Sequence, residues 1–218
     1  MLDEFTKGAE PVKNMLHQLL EVANPRLGDI SVHPESITFL TGNLGSDGVG
    51  DSLKAHSMNR IIPLHVRKPD ADEWIGWAIN NDIAPEVIAW VKQFPHALES
   101  YTDPAQKDNA YIFNPLKAGQ SAFVTPRSLE KASHIAKRRA DLGDSVTISA
   151  LAGTIGESAA RDMQAFFTVV DKLPTWEAIV DSPSSAKVPD DAVAKCILVF
   201  SAITRVDKDT LPKWLKYA

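Results

Sequence analysis

The stretch Ile61-Ile62-Pro63-Leu64-His65-Val66-Arg67-Lys68-Pro69 separates two parts of the sequence with different patterns. Residues 61–66 predict a strand, and a mixed α/β pattern precedes them. Beyond Pro69 the strand-like pattern largely disappears, and apolar residues recur at the three- and four-residue spacing of helices. The change predicts a domain boundary near Arg67.

The part before Arg67 predicts one helix and two strands. Apolar positions between Val12 and Ala23 recur at helical spacing, which predicts an amphipathic helix that ends near Pro25. Residues 36–41 are short, β-branched and aromatic, and lie between a proline and a glycine, which favours a buried strand. The glycine-rich residues 42–51 lack both the G-x-G-x-x-G order and EF-hand ligand spacing, so we interpret them as a flexible connection.

The part after Arg67 predicts only helices. Their core positions lie at Trp74, Trp77 and Ala78; at Val87, Ile88, Val91 and Phe94; at Leu129, Ala132 and Ala136; at Ala159, Met163, Phe166, Phe167 and Val170; and at Val193, Ile197, Phe200 and Thr204. We count Trp74, Trp77 and Trp90 as packing residues and not as a stacking platform.

Composition limits the class of protein. The chain has 218 residues, 44% hydrophobic and 23% charged, as in soluble globular proteins. No apolar run approaches the roughly 18 residues of a membrane span, and no signal core follows the N-terminus, so we expect a cytoplasmic protein without membrane contact. A net charge of -5 argues against nucleic-acid binding. The only cysteine, Cys196, lies in an apolar run and predicts a buried thiol.

Two adjacent acids near the N-terminus are the first candidates for chemistry. At the end of a strand, Asp3 and Glu4 can divide the work of phosphoryl transfer, one holding the Mg²⁺ shell and the other orienting and deprotonating water. Taken alone, adjacent acids are more often part of a solvated surface.

The neighbours of this pair carry a resemblance. Leu2-Asp3-Glu4-Phe5-Thr6-Lys7-Gly8-Ala9 and the following helix resemble the Walker B motif of AAA+ ATPases related to the MoxR group. Thr41-Gly42-Asn43 looks like sensor 1, whose polar side chain helps to place the attacking water. The resemblance implies that Glu4 and Asn43 are catalytic, that Asp3 binds Mg²⁺ through water, and that Asp3 and Asn43 contact the nucleotide.

Two arginines extend the resemblance. Lys54-Ala55-His56-Ser57-Met58-Asn59-Arg60 resembles the segment with the arginine finger, which makes Arg60 a catalytic candidate toward nucleotide in the adjacent subunit. Phe123-Val124-Thr125-Pro126-Arg127-Ser128 resembles sensor 2, which makes Arg127 a nucleotide-binding candidate.

The residues around Arg127 also predict its position without the resemblance. Thr125 suits an N-cap and Pro126 the first helical position, so Arg127 is expected at a helix N-terminus, where anions are favoured. The alternative for each arginine is a surface ion pair, and for Asn43 a cap or turn residue.

The resemblance implies a fold and a function. The fold class is α/β plus all-α: a partial AAA+ nucleotide-binding α/β domain over residues 1–67, followed by a helical lid domain over residues 68–218. The implied cofactors are ATP and Mg²⁺. The implied assembly is a homo-oligomeric ring, hexameric in the family, that remodels a protein substrate or works with a von Willebrand factor A domain partner in a chaperone-like role.

One departure from the family is large. The sequence contains no G-x-x-x-x-G-K-[ST] phosphate-binding loop and no Gly-Lys dipeptide. We interpret the chain as a fragment or truncated product, and expect that alone it neither binds ATP tightly nor hydrolyses it. The alternative is a non-catalytic lid or assembly module. No H-E-x-x-H spacing or G-x-S-x-G elbow supports a zinc or serine hydrolase.

Overall fold

A computed structural model describes residues 1–43, 53–117 and 119–218. The predicted connection at residues 42–51 lies outside the described residues from 44 onward. The chain divides into two compact units, Met1–Arg67 and Lys68–Ala218. The fold is mostly helical, at 53%, with a small two-stranded sheet.

The first unit consists of short elements. A 3-10 turn at Phe5–Lys7 leads into helix α1 (Glu10–Leu16), which continues as a 3-10 turn at His17–Leu20. Strands β1 (Arg26–Leu27) and β2 (Ile30–Ser31) form an antiparallel hairpin, and helix α2 covers Ala55–Met58. The predicted helix is therefore present but ends before Ala23.

The two strands predicted in this unit are wrong. Of residues 36–41 only Leu40 pairs, in a single parallel bridge with Leu2, and residues 61–66 form no strand. The side chains predicted to be buried are exposed, 75% at Ile37 and 60% at Phe39. A strand needs a neighbouring strand for its hydrogen bonds, and within the described residues this segment has one bridge partner, Leu2.

The second unit is built from helices. They are α3 (Ala71–Ile79), α4 (Pro85–Gln93), α5 (Pro126–Lys137), α6 (Arg139–Leu142), α7 (Asp144–Ile155), α8 (Glu157–Val170), α9 (Trp176–Asp181), α10 (Ala192–Ile203) and α11 (Leu211–Tyr217), with 3-10 turns at Pro95–Leu98 and Pro104–Gln106. Each helical segment predicted from apolar spacing in this unit is present, with Phe94 and Thr204 just past the ends of α4 and α10.

The core of the second unit lies among α4, α5, α7, α8 and α10. Trp90 and Phe167 are its largest fully buried side chains. Trp74 and Trp90 pack as predicted, but Trp77 is 43% exposed, because it lies on the outer side of α3. Cys196 is only partly buried, at the edge of the core cluster, so the prediction of a buried thiol is wrong.

Within the described part of the chain, no helix is both long enough and apolar enough to cross a lipid bilayer.

Candidate functional site

The first two sequence candidates meet around Thr41. Its backbone N–H donates to the carbonyl of Leu2 at 3.0 Å, and its own carbonyl accepts from the N–H of Phe5 at 2.8 Å. Its hydroxyl oxygen accepts from the N–H of Glu4 at 3.2 Å. The chain from Leu2 to Phe5 is therefore wrapped around one residue of the 41–43 segment.

The same hydroxyl fixes the first carboxylate of the pair. Thr41 Oγ1 donates a hydrogen bond to Oδ1 of Asp3. Glu4 has a left-handed backbone, φ 51° and ψ 34°, which is uncommon outside glycine and costs of order 1–3 kcal/mol. Its carboxylate accepts from Lys7 Nζ at 2.7 Å, and both side chains are exposed. The carboxylates of Asp3 and Glu4 thus lie at an open surface, the first held by Thr41.

Gly42 is required by close packing against Thr6. A Cβ at position 42 would lie 2.5 Å from Cγ2 and 2.7 Å from Oγ1 of Thr6, distances that real Cβ atoms do not show. Thr6 is buried, and its hydroxyl has no hydrogen-bond partner among the described residues. Only glycine allows the 41–43 segment to approach the Phe5–Lys7 turn this closely.

The oxygen atoms at this site are the Asp3 carboxylate and the Thr41 hydroxyl. Carboxylate and hydroxyl oxygens are ligands that Mg²⁺ accepts, and in nucleotide sites it takes only one or two carboxylates and completes its shell with water and phosphate. Within the described ranges, no group of three or more His, Cys, Asp or Glu side chains could hold a metal alone. Asp3 would supply one carboxylate to such a shell, oriented by its hydrogen bond from Thr41.

Arg60 lies in the first unit and is held by two contacts. Its Nε donates to Glu21 Oε1 at 2.8 Å, and its NH1 donates to the backbone carbonyl of His56 at 2.7 Å. The side chain is 37% exposed. The surface ion pair, the alternative for this residue, is thus formed, and the side chain stays partly exposed.

Arg127 lies in the second unit, where the sequence predicts it. Thr125 is the N-cap of α5, and Pro126 is its first residue. A reciprocal capping box with Ser128 fixes this end: the Ser128 N–H donates to Thr125 Oγ1 at 3.0 Å, and the Thr125 N–H donates to Ser128 Oγ at 2.8 Å. The exposed Arg127 side chain forms no hydrogen bond or ion pair with another described residue.

A cavity of about 420 Å³ lies beside Arg127. Its walls come from α3 and the residue before its N-cap and from the first half of α5, and are formed by Pro69, Glu73, Trp74, Trp77, Pro126, Arg127 and Glu130. The exposed indole of Trp77 and the free guanidinium of Arg127 give the cavity one aromatic face and one cationic group. The carboxylates of Glu73 and Glu130 line the same cavity, so its charge is mixed.

The candidate residues fall into three groups. Asp3, Glu4 and the 41–43 segment are brought together, Asn43 being exposed two residues beyond Thr41. Arg60 is held separately in the same unit by Glu21, and Arg127 belongs to the second unit. The roles assigned to these residues stay predictions.

The sequence analysis did not identify two residues that contact the Asp3–Glu4 pair. Thr41 holds the acidic pair, and Lys7 pairs with Glu4. The available signals were a threonine directly before Gly42 and a lysine three residues after Glu4, the spacing at which helical side chains meet.

Compared with known proteins, the chain matches no protein-family model, no curated protein and no solved structure.

Proposed function

We propose that the chain is part of a AAA+ ATPase related to the MoxR group, in which it contributes the residues that orient water and magnesium and that sense the nucleotide. The observation that carries this proposal is the parallel bridge between Leu2 and Leu40. It brings the Asp3–Glu4 pair to the end of the segment that carries Asn43, the arrangement expected for Walker B beside sensor 1.

The chain's own side chains would divide the work as follows. Asp3, oriented by Thr41, would hold the water shell of magnesium, and Glu4 would accept a proton from the attacking water, which Asn43 would orient. Bound magnesium would offset negative charge on the phosphates. Glu4 must first leave Lys7, and because both side chains are exposed this surface pair is worth at most about 1 kcal/mol.

The two arginines would have different roles. Arg127, free of partners among the described residues and placed at a capped helix N-terminus, suits contact with a phosphate oxygen through two N–H groups. Arg60 would act on nucleotide in an adjacent protomer of a homo-oligomeric ring. The ring would remodel a protein substrate or work with a partner that contains a von Willebrand factor A domain.

A second candidate function is a lid or assembly module without catalysis. It is favoured by the contrast between the units, since the extensive apolar core lies in the second unit, whereas Phe5 is the one large apolar side chain buried among the described residues of the first. A nucleotide site also needs a phosphate cradle that these 218 residues do not contain.

The coding sequence upstream of Met1 separates the two candidates. An in-frame G-x-x-x-x-G-K-[ST] supports the ATPase, and a stop codon followed by a ribosome-binding site supports the module. The 218-residue chain alone is expected to show no magnesium-dependent ATP turnover, and robust turnover would contradict that expectation.

Variants of the chain extended with the sequence encoded upstream of Met1 then test the roles assigned to Glu4 and Arg60. Glu4→Gln should lower turnover by at least about 100-fold, the lower range for a general base, while nucleotide binding is kept. Arg60→Ala should abolish hydrolysis and also spare binding. Glu35→Gln, an exposed carboxylate of the same unit, is the control and should turn over normally. Unchanged turnover in Glu4→Gln would reject the catalytic assignment.

Binding at the second unit can be tested separately. Nucleotide added to the chain extended with the upstream sequence should quench tryptophan fluorescence through Trp74 and Trp77 in the cavity wall, and Arg127→Ala should weaken the response. Arg138→Ala is the matched control, because Arg138 is a similarly exposed arginine after the end of α5. Equal affinities in the two variants would remove Arg127 from the proposal.

A further inference from the structure

Residues 54–60, which include α2 and Arg60, are held against residues 10–21 by three side-chain contacts. Lys54 Nζ lies 2.9 Å from Glu10 Oε2, and Arg60 Nε lies 2.8 Å from Glu21 Oε1. Between these ion pairs, His17 Nε2 and Ser57 Oγ are 2.8 Å apart. The central contact is the only one of the three that joins two formally neutral groups.

The central contact is also the most enclosed. Ser57 is 4% exposed, and the His17 ring is half-buried against the ring of His56, edge-on, with centroids 4.9 Å apart. The two ion pairs, by contrast, join exposed side chains and are worth little in water. We therefore expect the His17–Ser57 bond to contribute most to holding residues 54–60.

We infer that His17 is a proton-sensitive latch, which holds residues 54–60 through Ser57 more tightly when the imidazole is neutral than when it carries a charge beside Arg60. The inference concerns the first unit by itself and requires neither nucleotide nor the proposed ATPase function.

The charges around the ring explain the sensitivity. Burial lowers the pKa of His17 most, and the nearby His56 and Arg60 lower it further. Glu10 and Glu21 oppose this, but each is already paired with a cation. Lys13, one turn earlier in α1, is bound to Glu10 and to the carbonyl of Thr6. A proton on His17 therefore adds charge to a site that is already cationic on the α2 side.

The direction of the pH effect follows from this lowered pKa. The unlatched state, in which His17 reaches water, binds a proton near the ordinary value of about 6.5. The latched state binds it only at lower pH. The latch is thus fully stabilising above that value and weakens as pH falls below it.

The ion pair between Lys54 and Glu10 does not share this dependence. Bonding to Lys54 and then to Lys13 lowers the pKa of Glu10 to about 2, so its carboxylate stays ionised throughout the range in which an imidazole titrates. A change in residues 54–60 between about pH 5 and about pH 7.5 therefore reports on histidine.

Amide hydrogen exchange of the full chain, corrected for intrinsic rates, tests the latch. Protection of residues 54–60 should fall several-fold from about pH 7.5 to about pH 5. His17→Gln should remove this dependence, and Ser57→Ala should give low protection at both pH values. His65→Gln, which replaces an exposed histidine of the same unit, should behave like the unaltered chain.

Two results would overturn the inference. One is equal protection at both pH values in the unaltered chain, or a pH dependence that persists in His17→Gln. The other comes from ring NMR of the unaltered chain, which needs no variant to fold: a His17 titration midpoint at or above about 6.5 would exclude the mechanism.

Discussion

Replacing Gly156 with alanine should destabilise the second unit more than any other glycine substitution between α6 and α8. Gly156 is the N-cap of α8, with φ 87° and ψ 156°, a region that is essentially restricted to glycine and costs other residues about 1–3 kcal/mol. An added Cβ would also lie 2.9 Å from the carbonyl oxygen of Ala122, which is backbone and cannot simply rotate away.

Two neighbouring glycines separate these effects. Gly143, the N-cap of α7, has nearly the same backbone, φ 73° and ψ 163°, but nothing within 4 Å of an added Cβ. Gly143→Ala should therefore cost the conformational strain alone, about 1–3 kcal/mol. Gly156→Ala should cost about 1–3 kcal/mol more, the typical penalty of overpacking. Gly153 lies inside α7, and a Cβ added there would also meet nothing within 4 Å. Gly153→Ala should therefore raise the free energy of unfolding by about 0.5–1 kcal/mol.

Thermal and urea unfolding of the full chain, followed by circular dichroism, gives the measurement. Each kcal/mol in the free energy of unfolding should move the thermal midpoint by about 2–4 °C. The expected order, from most to least stable, is Gly153→Ala, unaltered chain, Gly143→Ala, Gly156→Ala. If Gly156→Ala were as stable as Gly143→Ala, the contact with Ala122 would be refuted. If Gly143→Ala cost nothing, the strain argument would be refuted.

Other parts of the second unit give two further predictions. Thr125→Ala removes the capping box of α5 and should cost about 1 kcal/mol in urea unfolding, whereas Thr168→Ala, on the exposed side of α8, should be near neutral. Burial and then the hydrogen bond to Asp162 raise the pKa of Tyr111 to about 12. Its stabilising contribution is therefore complete below the unfolded value of about 10 and is lost as pH rises toward about 12. Tyr111→Phe should flatten that part of the stability–pH curve, and an unchanged slope would contradict the assignment.

The helices of the second unit could be predicted because a helix satisfies its hydrogen bonds within its own segment. Apolar spacing was enough to find α3, α4, α5, α8 and α10. Helix α7 was not found, because its apolar residues do not gather on one face: Ala150 and Leu151 are adjacent, and serine, threonine and glycine fill much of the rest.

The predicted strands were wrong because a strand takes its hydrogen bonds from another segment of the chain. The β-branched and aromatic character of residues 36–41 is a preference for a half-buried sheet surface and not a backbone rule. With Leu2 as the only bridge partner of Leu40 among the described residues, Ile37 and Phe39 stay exposed. A strand pattern therefore predicts structure only when its neighbours are also known.

The candidate site shows the same difference between local and distant information. Arg127 could be placed because its cap, Thr125, and its first-turn proline are adjacent in sequence. The role of Thr41 could not, since its contacts with Asp3 and Glu4 join residues 38 and 37 positions apart. Sequence reasoning identified the members of the acidic pair but not the hydroxyl that holds it.

The unequal cores of the two units determine how the first site should be studied. Ile62, Leu64 and Val66 are each more than 80% exposed, so the stabilisation of about 1.5–3 kcal/mol that burying such a side chain supplies is missing there. Global unfolding will therefore report mainly on the second unit, whose core is extensive. The geometry around Asp3 and Thr41 rests instead on local hydrogen bonds and on the close approach of Gly42 to Thr6, so changes there must be followed by local probes such as amide exchange.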